Sequence, residues 1–380
     1  MDNAGGTVRV LYFTRSYNVH DIRFLSALAR TDHSVHSLAL YATAPDGVTA
    51  GFPPGVKTSE PLYNIQSLKW SKYPQAARRL SSQLDVIQPD LIHAGPIHIC
   101  AAIAAMTGFK PLVSMSWGSD LLWEARKPLV ALVSRLTLSR SNAFVGDCEA
   151  VAAAANRLGM ARSKIVLFPW GTDLEHFTPG PGDKVREKLG WQQAFILLST
   201  RSFEPLYGVD LIVRAFIEAA ADNPALHLLL VGGGSLQNQF EEQLHMAGLD
   251  ARTHFAGRVD RQALPDYYRA ADLYLSASYS DGSSVSLLEA MACGLPPLVS
   301  DIPGNREWVE PGISGWLFQP GEVESLIGSL IKHARGESAL KKTGAAARSV
   351  VERSANWKRN FPRLLEAYEL ARRDAGQAAA

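Results

Sequence analysis

Two acidic residues frame the segment of this sequence that is best suited to chemistry. It reads Ser-Asp-Gly-Ser-Ser-Val-Ser-Leu-Leu-Glu from Ser280 to Glu289 and follows a run of strand-forming residues. Its apolar spacing predicts a helix that begins near Val285, for which the preceding serines are suitable N-caps. The N–H groups and dipole at a helix start favour a bound diphosphate. Asp281 and Glu289 would then face sugar or ribose hydroxyls; helix capping by Asp281 and a solvated Glu289 are the alternative.

A second segment suited to phosphate chemistry begins at Ser199, after another predicted strand. Arg201 offers a permanent charge and a planar set of donors that match phosphate oxygens. A surface ion pair between Arg201 and Glu204 is the alternative. The glycine turn at 232–234 follows a third predicted strand and would let the backbone approach a ligand closely, although a simple tight turn has the same sequence.

These segments resemble the retaining glycosyltransferases of family 4, group 1, which have the GT-B architecture. The resemblance rests on the segment from Ser280 to Gly294, the run at 294–307 and the Gly-Ile-Ser-Gly-Trp-Leu-Phe motif at 312–318. The family's signature has two acidic residues on either side of seven others, here Asp281 and Glu289. The resemblance implies that Glu289 binds the nucleotide ribose and that the loop from Asp281 to Val285 holds the donor sugar and phosphate.

Two positions depart from the family's pattern. The family usually has Glu at the first acidic position, and Asp281 is one methylene shorter. Tyr207 stands where a lysine is expected beside Arg201, which removes one cation for the leaving diphosphate. Arg15, Arg23 and Arg258 are candidates to compensate. Asp281 and Arg201 are therefore predicted as catalytic, and the predicted donor-binding residues are Tyr207, Gly233, Gly234, Arg258, Val259, Gly282, Ser283, Ser284, Val285 and Glu289.

The N-terminal half places polar residues on loops after predicted strands. His20, a catalytic candidate, and Asp21 follow the first strand and could contact the sugar or the acceptor; helix capping by Asp21 is the alternative. His93, Trp117 and Asp120 resemble the family's acceptor-side segments, although Trp117 stands where a histidine is common. The histidines have no acidic or cysteine partners at metal-site spacing, so we expect no metal and no cofactor.

Strands that alternate with helices must position these residues. The pattern predicts two doubly wound, Rossmann-like α/β domains that face a central cleft. Residues 1–172 would form an acceptor-binding domain and residues 183–355 a nucleotide-sugar-binding domain, joined by a Pro- and Gly-rich hinge at 173–182. A C-terminal helix at 356–380 could pack back on the N-terminal domain. The predicted strands are 8–13, 35–41, 91–92, 112–115, 143–145, 165–168, 195–199, 226–231, 253–255, 273–276 and 297–300.

Composition narrows the functional classes. With 38 Lys and Arg against 37 Asp and Glu, the net charge of +1 provides no field that would attract nucleic acid. Three distant cysteines favour reduced thiols, and neither a signal peptide nor a membrane-spanning run is recognisable, so we expect a cytoplasmic protein. A helix at 126–140 groups Leu129, Leu132, Val133 and Leu136 on one face near basic residues. It predicts either peripheral contact at the inner membrane face or an ordinary helix that buries this face.

Together these features predict a retaining, metal-independent glycosyltransferase. It would move a hexosyl unit from a nucleoside-diphosphate sugar, with UDP as the expected nucleotide, to a hydroxyl acceptor in glycan, glycolipid or small-molecule glycoside biosynthesis. A lipid-linked acceptor is among the candidates. A sugar-nucleotide epimerase of the same architecture and a non-catalytic sugar-nucleotide-binding protein are the alternatives, the second because Asp281 and Tyr207 replace the expected residues.

Overall fold

The chain divides into two compact units. A computed structural model describes residues 7–42, 52–65, 67–334 and 337–379. Met1–Phe168 and Phe361–Ala380 form the first unit, and Pro169–Asn360 form the second. The chain therefore passes from one unit to the other twice, at 168/169 and again at 360/361. The first crossing comes just before the hinge that the sequence predicts at 173–182.

The first unit is an α/β layer structure on a parallel sheet. Within its described residues the strands are β1 (Arg9–Thr14), β2 (Ser34–Ala39), β3 (Val56–Thr58), β4 (Leu91–Ala94), β5 (Leu112–Met115), β6 (Ala143–Gly146) and β7 (Ile165–Leu167). Their order in the sheet is β3-β2-β1-β4-β5-β6-β7, and all neighbours are parallel. The order reverses between β1 and β4, the kind of switch point at which such sheets bind ligands. Its helices are α1 (Val19–Leu28), α2 (Tyr73–Ile87), α3 (Ala102–Met106), α4 (Ser119–Leu122), α5 (Pro128–Arg140) and α6 (Glu149–Arg157).

The second unit repeats this layer structure. Within its described residues the strands are β8 (Phe195–Ser199), β9 (Leu226–Val231), β10 (Thr253–Gly257), β11 (Leu273–Ser276), β12 (Pro297–Ser300) and β13 (Trp316–Phe318). They pair in parallel in the order β10-β9-β8-β11-β12-β13, which reverses between β8 and β11. Its helices are α7 (Asp183–Leu189), α8 (Val209–Asp222), α9 (Gln237–Met246), α10 (Leu264–Ala270), α11 (Val285–Ala292), α12 (Pro303–Arg306), α13 (Val323–His333), α14 (Glu337–Ser354) and α15 (Trp357–Asn360).

Continuous apolar runs form the strands because helices cover both faces of each sheet. In β8, Leu197 packs in the core beneath α8 and α13, and its neighbours Ile196 and Leu198 pack in the opposite core beneath α11 and α14. Such runs made β5, β8, β9, β11 and β12 predictable with the bounds that the structure has. The three-residue edge strands β3 and β13 were not predicted, because Val-Lys-Thr is not an apolar run and Trp-Leu-Phe is a run of only three residues. The edge strand β7 is equally short, but it begins the four-residue apolar run at 165–168 and was predicted.

The last helix returns to the first unit. α16 (Pro362–Ala379) packs against β5, β6 and β7, with Tyr368 fully buried. Asp374 on this helix accepts a hydrogen bond from Asn142 at 2.9 Å and pairs with Lys164 at 2.7 Å. Within the predicted C-terminal segment at 356–380, α15 belongs to the second unit and α16 to the first.

The helix α5 buries a different face from the one that the sequence suggests. Val130, Ser134, Thr137 and Leu138 are buried, whereas Leu129, Leu132 and Leu136 are 57%, 54% and 49% exposed. The expectation that an ordinary helix would bury these leucines is therefore wrong. No helix in the described ranges is both long and apolar enough to span a bilayer.

Candidate functional site

The second unit brings two predicted site residues together at its switch point. Arg201 follows β8 and Asp281 follows β11, and these two strands are neighbours in the sheet. The Arg201 guanidinium donates one hydrogen bond to Asp281 Oδ2 at 2.6 Å. It donates two more, to Ser284 Oγ at 2.7 Å and Ser286 Oγ at 3.0 Å. Ser286 also bonds the Tyr274 hydroxyl at 2.8 Å, so the arginine is held by a connected polar network.

Arg201 is nearly buried, with 10% of its side chain exposed. Burial is the largest single effect and by itself would lower the pKa of Arg201, but the Asp281 carboxylate together with the Tyr274, Tyr207 and Tyr268 side chains raises the pKa above its ordinary value. Its Nε is buried and has no hydrogen-bond partner among the described residues. A buried donor of this kind is costly unless a ligand or water accepts its hydrogen bond.

Tyr207 lies against the same guanidinium. The Arg201 Cζ is 4.3 Å from the centre of the Tyr207 ring, within cation–π range. Tyr207 belongs to a 3₁₀ turn at Pro205–Tyr207, and Gly208 follows it with φ +62°. The tyrosine at this position therefore supplies a flat surface on which the arginine rests, where the family's lysine would supply a second charge.

The serines before α11 do not cap the helix with their side chains. Ser284 occupies the N-cap position, but its hydroxyl makes no capping hydrogen bond and accepts from Arg201 instead. Ser283 Oγ accepts from the Trp308 indole at 3.3 Å. The prediction that a serine occupies the N-cap is confirmed, but its hydroxyl does not supply the usual capping hydrogen bond. The first N–H groups of a helix have no acceptor within the helix, and because the Ser284 hydroxyl does not accept from them, they can donate to another acceptor.

Glu289 is buried on α11, with 7% of the residue exposed. Its Oε2 accepts a hydrogen bond from the Tyr268 hydroxyl at 3.0 Å, and that hydroxyl also bonds Thr200 Oγ1 at 3.1 Å. Arg261 Nη1 lies 3.9 Å from the other carboxylate oxygen. The alternative of a solvated Glu289 does not fit this environment, and the carboxylate is held beside the loop that carries Arg201.

The glycine turn after β9 supports the arginine loop. Gly233 O accepts from Phe203 N at 3.0 Å, and Phe203 O accepts from Leu236 N at 3.0 Å. A Cβ on Gly234 would lie 2.7 Å from the Phe203 carbonyl, so close packing of two loops requires glycine here. Glu204 accepts from Ser235 N and Oγ, at 2.8 and 2.7 Å, and the alternative of a Glu204–Arg201 pair is wrong.

The remaining predicted donor residues border this site or lie apart from it. Arg258 is exposed directly after β10, and Val259 packs partly into the core. The Gly282 carbonyl oxygen packs against Gly304, and a Cβ on Gly304 would lie only 2.4 Å from that oxygen. Arg15 and Arg23, the other candidates for a compensating cation, belong to the first unit.

In the first unit, Asp21 completes a capping box at the start of α1. Asn18 is the N-cap, and its side chain accepts from the His20 and Asp21 N–H groups. Asp21 Oδ2 accepts from Asn18 N and Oδ1 from the Tyr12 hydroxyl, both at 2.9 Å. Burial raises the pKa of Asp21 to about 7, although the Tyr12 and Asn18 hydrogen bonds oppose the shift. These contacts favour the helix-capping interpretation of Asp21.

His93 is buried at the switch point of the first sheet. Its Nδ1 bonds the hydroxyl of Tyr368 at 2.8 Å, and the Tyr12 ring packs edge-on to the imidazole with centroids 5.0 Å apart. Burial lowers the pKa of His93 to about 3, which keeps the ring neutral at ordinary pH. Its role toward an acceptor stays a prediction, and its observed contacts are with the core and α16.

Asp120 organises the loop after β5. Its carboxylate accepts from Ser116 Oγ at 2.6 Å and from the N–H groups of Ile97, Trp117 and Leu121 at 2.8, 3.0 and 3.1 Å. Trp117 is half-buried, and its ring lies 6.2 Å from that of His20, so these two candidates are neighbours.

Sequence reasoning missed several partners of these side chains. Asn18 was identifiable, because Asn-x-x-Asp before an apolar run is a capping signal. Tyr268 and Tyr274 carry no such signal, since only the arrangement of the strands and helices brings them to the site. Ser286 lies within the segment from Ser280 to Glu289, but it was not assigned a role. Among the described residues, no cluster of three or more His, Cys, Asp or Glu side chains could hold a metal ion.

Two family models match this chain, one on each half. The model described as Glycosyltransferase Family 4 matches residues 18–176, and the model described as Glycosyl transferases group 1 matches residues 182–350. The matched ranges contain the predicted catalytic, donor-binding and acceptor-side residues, whereas Arg15 precedes the first range.

Curated relatives are glycosyltransferases. The chain is 29% identical over 243 residues to D-inositol 3-phosphate glycosyltransferase of Rhodococcus erythropolis, with 62% of this chain and 55% of the relative covered. It is 24% identical over 383 residues to the GDP-mannose-dependent alpha-(1-6)-phosphatidylinositol monomannoside mannosyltransferase of Mycolicibacterium smegmatis, with 93% and 94% covered. The chain spans about half the length of the first curated relatives that it matches.

A solved structure shares the architecture. The fold is similar to Anabaena Alr3699/HepE in complex with UDP and glucose, with a TM-score of 0.79, 19% sequence identity, and 95% of this chain and 99% of that chain covered. The two parallel-sheet units and this likeness confirm the predicted GT-B fold. The Asp281-to-Glu289 motif, the two matched ranges and the architecture agree, and the chain belongs to the group 1 glycosyltransferases.

Proposed function

We propose that this chain is a retaining glycosyltransferase that moves a hexosyl unit from a nucleoside-diphosphate sugar to a hydroxyl acceptor. The observation that carries the proposal is Arg201, which three hydrogen bonds hold at the switch point while its buried Nε has no partner among the described residues. A diphosphate oxygen would accept from Nε. The guanidinium is held before the charge develops, and such preorganisation is a large term in catalysis.

The start of α11 supplies the second electrostatic element. Its first N–H groups and dipole would stabilise the departing diphosphate together with Arg201. Asp281 would keep Arg201 oriented and the loop from Gly282 to Val285 would border the sugar. The buried Glu289 would accept hydrogen bonds from the ribose hydroxyls. The acceptor oxygen would bond to the anomeric carbon as the bond to the diphosphate breaks, on the same face of the sugar, and the hydroxyl proton would pass to the departing diphosphate oxygen.

We propose UDP as the nucleotide and no metal requirement. HepE was solved with UDP, and the mycobacterial relative is named for GDP-mannose, so both nucleotides belong in the test. The Arg201 network gives the diphosphate a cation of the protein's own, which is the task that a metal ion performs elsewhere. We further propose that the first unit binds the acceptor, with the half-buried His20 and Trp117 as part of that surface and a lipid-linked hydroxyl among the substrates to test.

Donor hydrolysis in the absence of acceptor is the direct test. A panel of UDP- and GDP-hexoses is incubated with the protein, with and without EDTA, and nucleoside diphosphate release is followed. We expect slow release with one hexose donor, unchanged by EDTA. When an acceptor is found, the anomeric proton coupling of the product in an NMR spectrum should show retention.

Each alternative has its own outcome in the same assay. A changed sugar that is still attached to its nucleotide would identify an epimerase and overturn the proposal. Tight binding of a donor by calorimetry, with neither hydrolysis nor transfer to any acceptor in the panel, would identify a non-catalytic binding protein. An inverted product would overturn retention alone.

A further inference from the structure

An exposed leucine stripe on α5 is the feature from which the inference begins. Leu129, Leu132 and Leu136 are each about half exposed. At 100° per residue, they fall within about 60° of one another around the helix axis. The buried residues Val130 and Ser134 lie on the opposite side of the helix. The three leucines therefore form a continuous apolar ridge that points away from the unit's core.

Basic side chains of the same chain segment border this ridge. Arg135 and Arg140 are exposed and flank the leucines on either side of the helix, and Arg126 and Lys127 are exposed at its start. The sequence contains no Asp or Glu from 125 to 146. Glu124, just before this range, pairs with His98 at 3.1 Å.

A partly exposed tryptophan precedes α5 in the chain. Trp123 is 37% exposed, and the Arg126 guanidinium lies 4.5 Å from the centre of its ring. Tryptophan and arginine at one edge of an apolar surface match the boundary between lipid headgroups and acyl chains, where the ring is partly in each.

From this surface we infer that α5 docks the protein on an anionic phospholipid bilayer. The leucines enter the boundary between headgroups and acyl chains, and the four basic residues contact lipid phosphates. The charge of this surface favours a bilayer over a second copy of the protein as its binding partner. A second copy would bring an equally basic surface against the first, which costs free energy, whereas an anionic bilayer has the complementary charge. The inference concerns a binding surface and is independent of the proposed transfer reaction.

Vesicle sedimentation tests the inference with the full chain. Large vesicles of phosphatidylcholine alone, and of phosphatidylcholine with phosphatidylglycerol, are incubated with the protein without any sugar nucleotide. We expect binding to the mixed vesicles only, weakened when salt rises from 0.05 to 0.5 M because the charges are screened.

Substitutions on α5 separate the two parts of the surface. The triple variant Leu129→Ser, Leu132→Ser, Leu136→Ser should bind mixed vesicles about tenfold or more weakly, since it loses exposed apolar area. Arg135→Gln with Arg140→Gln should weaken binding about fivefold per charge. The matched control is Val86→Ser with Met246→Ser, which removes side chains that are 79% and 81% exposed elsewhere. The control should bind as the unmodified protein does.

Several results would overturn the inference. They are no sedimentation with mixed vesicles at low salt, equal binding to neutral vesicles, or equal loss in the control variant. A concentration-dependent dimer in ultracentrifugation that the leucine variant abolishes would assign the ridge to a second copy instead. Circular dichroism of each variant checks folding, and donor hydrolysis by the leucine variant should match that of the unmodified protein.

Discussion

The two parallel sheets reverse their strand order in the same way, but the reversal points hold different chemistry. Between β8 and β11, Arg201 is held by hydroxyls and a carboxylate, and its Nε has no partner among the described residues. Between β1 and β4, the Tyr12 hydroxyl donates to Asp21 and His93 Nδ1 bonds the Tyr368 hydroxyl, while His93 Nε2 is also buried without a partner among the described residues. The two points therefore differ in charge: one holds an ionised arginine, whereas the other holds an imidazole that burial keeps neutral.

This difference shows that the shared topology determines where a ligand-binding loop can lie, but not whether that loop binds a ligand. Parallel strands bring their carboxyl-end loops together in both units. Which ligand those loops suit depends on the charge of the groups that remain after the protein's own hydrogen bonds are made. The substitutions below test that contrast, in order of their expected effect on donor turnover.

Arg201→Gln should have the largest effect. It removes the charge that we assign to the diphosphate, and kcat/KM for donor consumption should fall about 100-fold. Steady-state release of nucleoside diphosphate measures this. Arg186→Gln is the matched control, because Arg186 pairs with Asp272 at 2.7 Å at the amino ends of the same strands. The control should lower thermal stability and leave kcat/KM unchanged; equal losses in both variants would mean that only the fold had been damaged.

Glu289→Gln should weaken nucleotide binding about tenfold, since an amide keeps the shape of the buried side chain but accepts weaker hydrogen bonds. Calorimetric titration with UDP and with GDP measures the dissociation constant. Tyr268→Phe removes the hydroxyl that orients Glu289 and should cause a smaller loss. Unchanged affinity in Glu289→Gln would remove Glu289 from the donor site.

Tyr207 tests the aromatic support of Arg201. Tyr207→Phe keeps the ring and should change kcat/KM less than about twofold, whereas Tyr207→Leu should reduce it about fivefold because the cation–π contact is lost. Equal activity of the Phe and Leu variants would show that the stacking has no role. If Tyr207→Lys exceeds the unmodified protein, the missing second cation limits turnover.

Substitutions of the buried Asp21 and His93 in the first unit should have the smallest effect on donor hydrolysis, but they should change how stability depends on pH. With a pKa near 7, folded Asp21 keeps its proton where the unfolded side chain has lost it, so its contribution to stability is present below about pH 4 and lost as pH rises to 7. With a pKa near 3, folded His93 stays neutral where the unfolded ring is charged. Its contribution is present above about pH 6.5 and lost as pH falls.

Asp21→Asn and His93→Gln should therefore change the pH dependence in opposite directions. Relative to the unmodified protein, the free energy of unfolding should increase from pH 4 to 7 in Asp21→Asn and decrease in His93→Gln. The slope is at most about 1.4 kcal/mol per pH unit for one proton. Urea denaturation at several pH values measures it. Parallel profiles in all three proteins would contradict the assignment.

Much of the fold was predictable from local pattern. Strands buried on both faces are continuous apolar runs, which is why β5, β8, β9, β11 and β12 agree with their predicted bounds. The short strands β3 and β13 were missed because neither forms an apolar run of four residues, as the segment 165–168 around β7 does, and they are placed by pairing with β2 and β12. In α5, periodicity predicted the wrong buried face: its leucines share one face of the helix, but the opposite face packs against the core.

For this protein, the sequence by itself determined the family, the architecture and the chain segments in which Arg201, Asp281 and Glu289 lie, because these depend on residue types at short spacing. Only the tertiary structure decided their partners. It pairs Arg201 with Asp281 and not with Glu204, and it places Tyr268 within hydrogen-bond distance of Glu289. It also brings Tyr368, near the end of the chain, into a hydrogen bond with His93. These contacts join residues far apart in the sequence, and strand order in the sheets sets them, which no local pattern encodes.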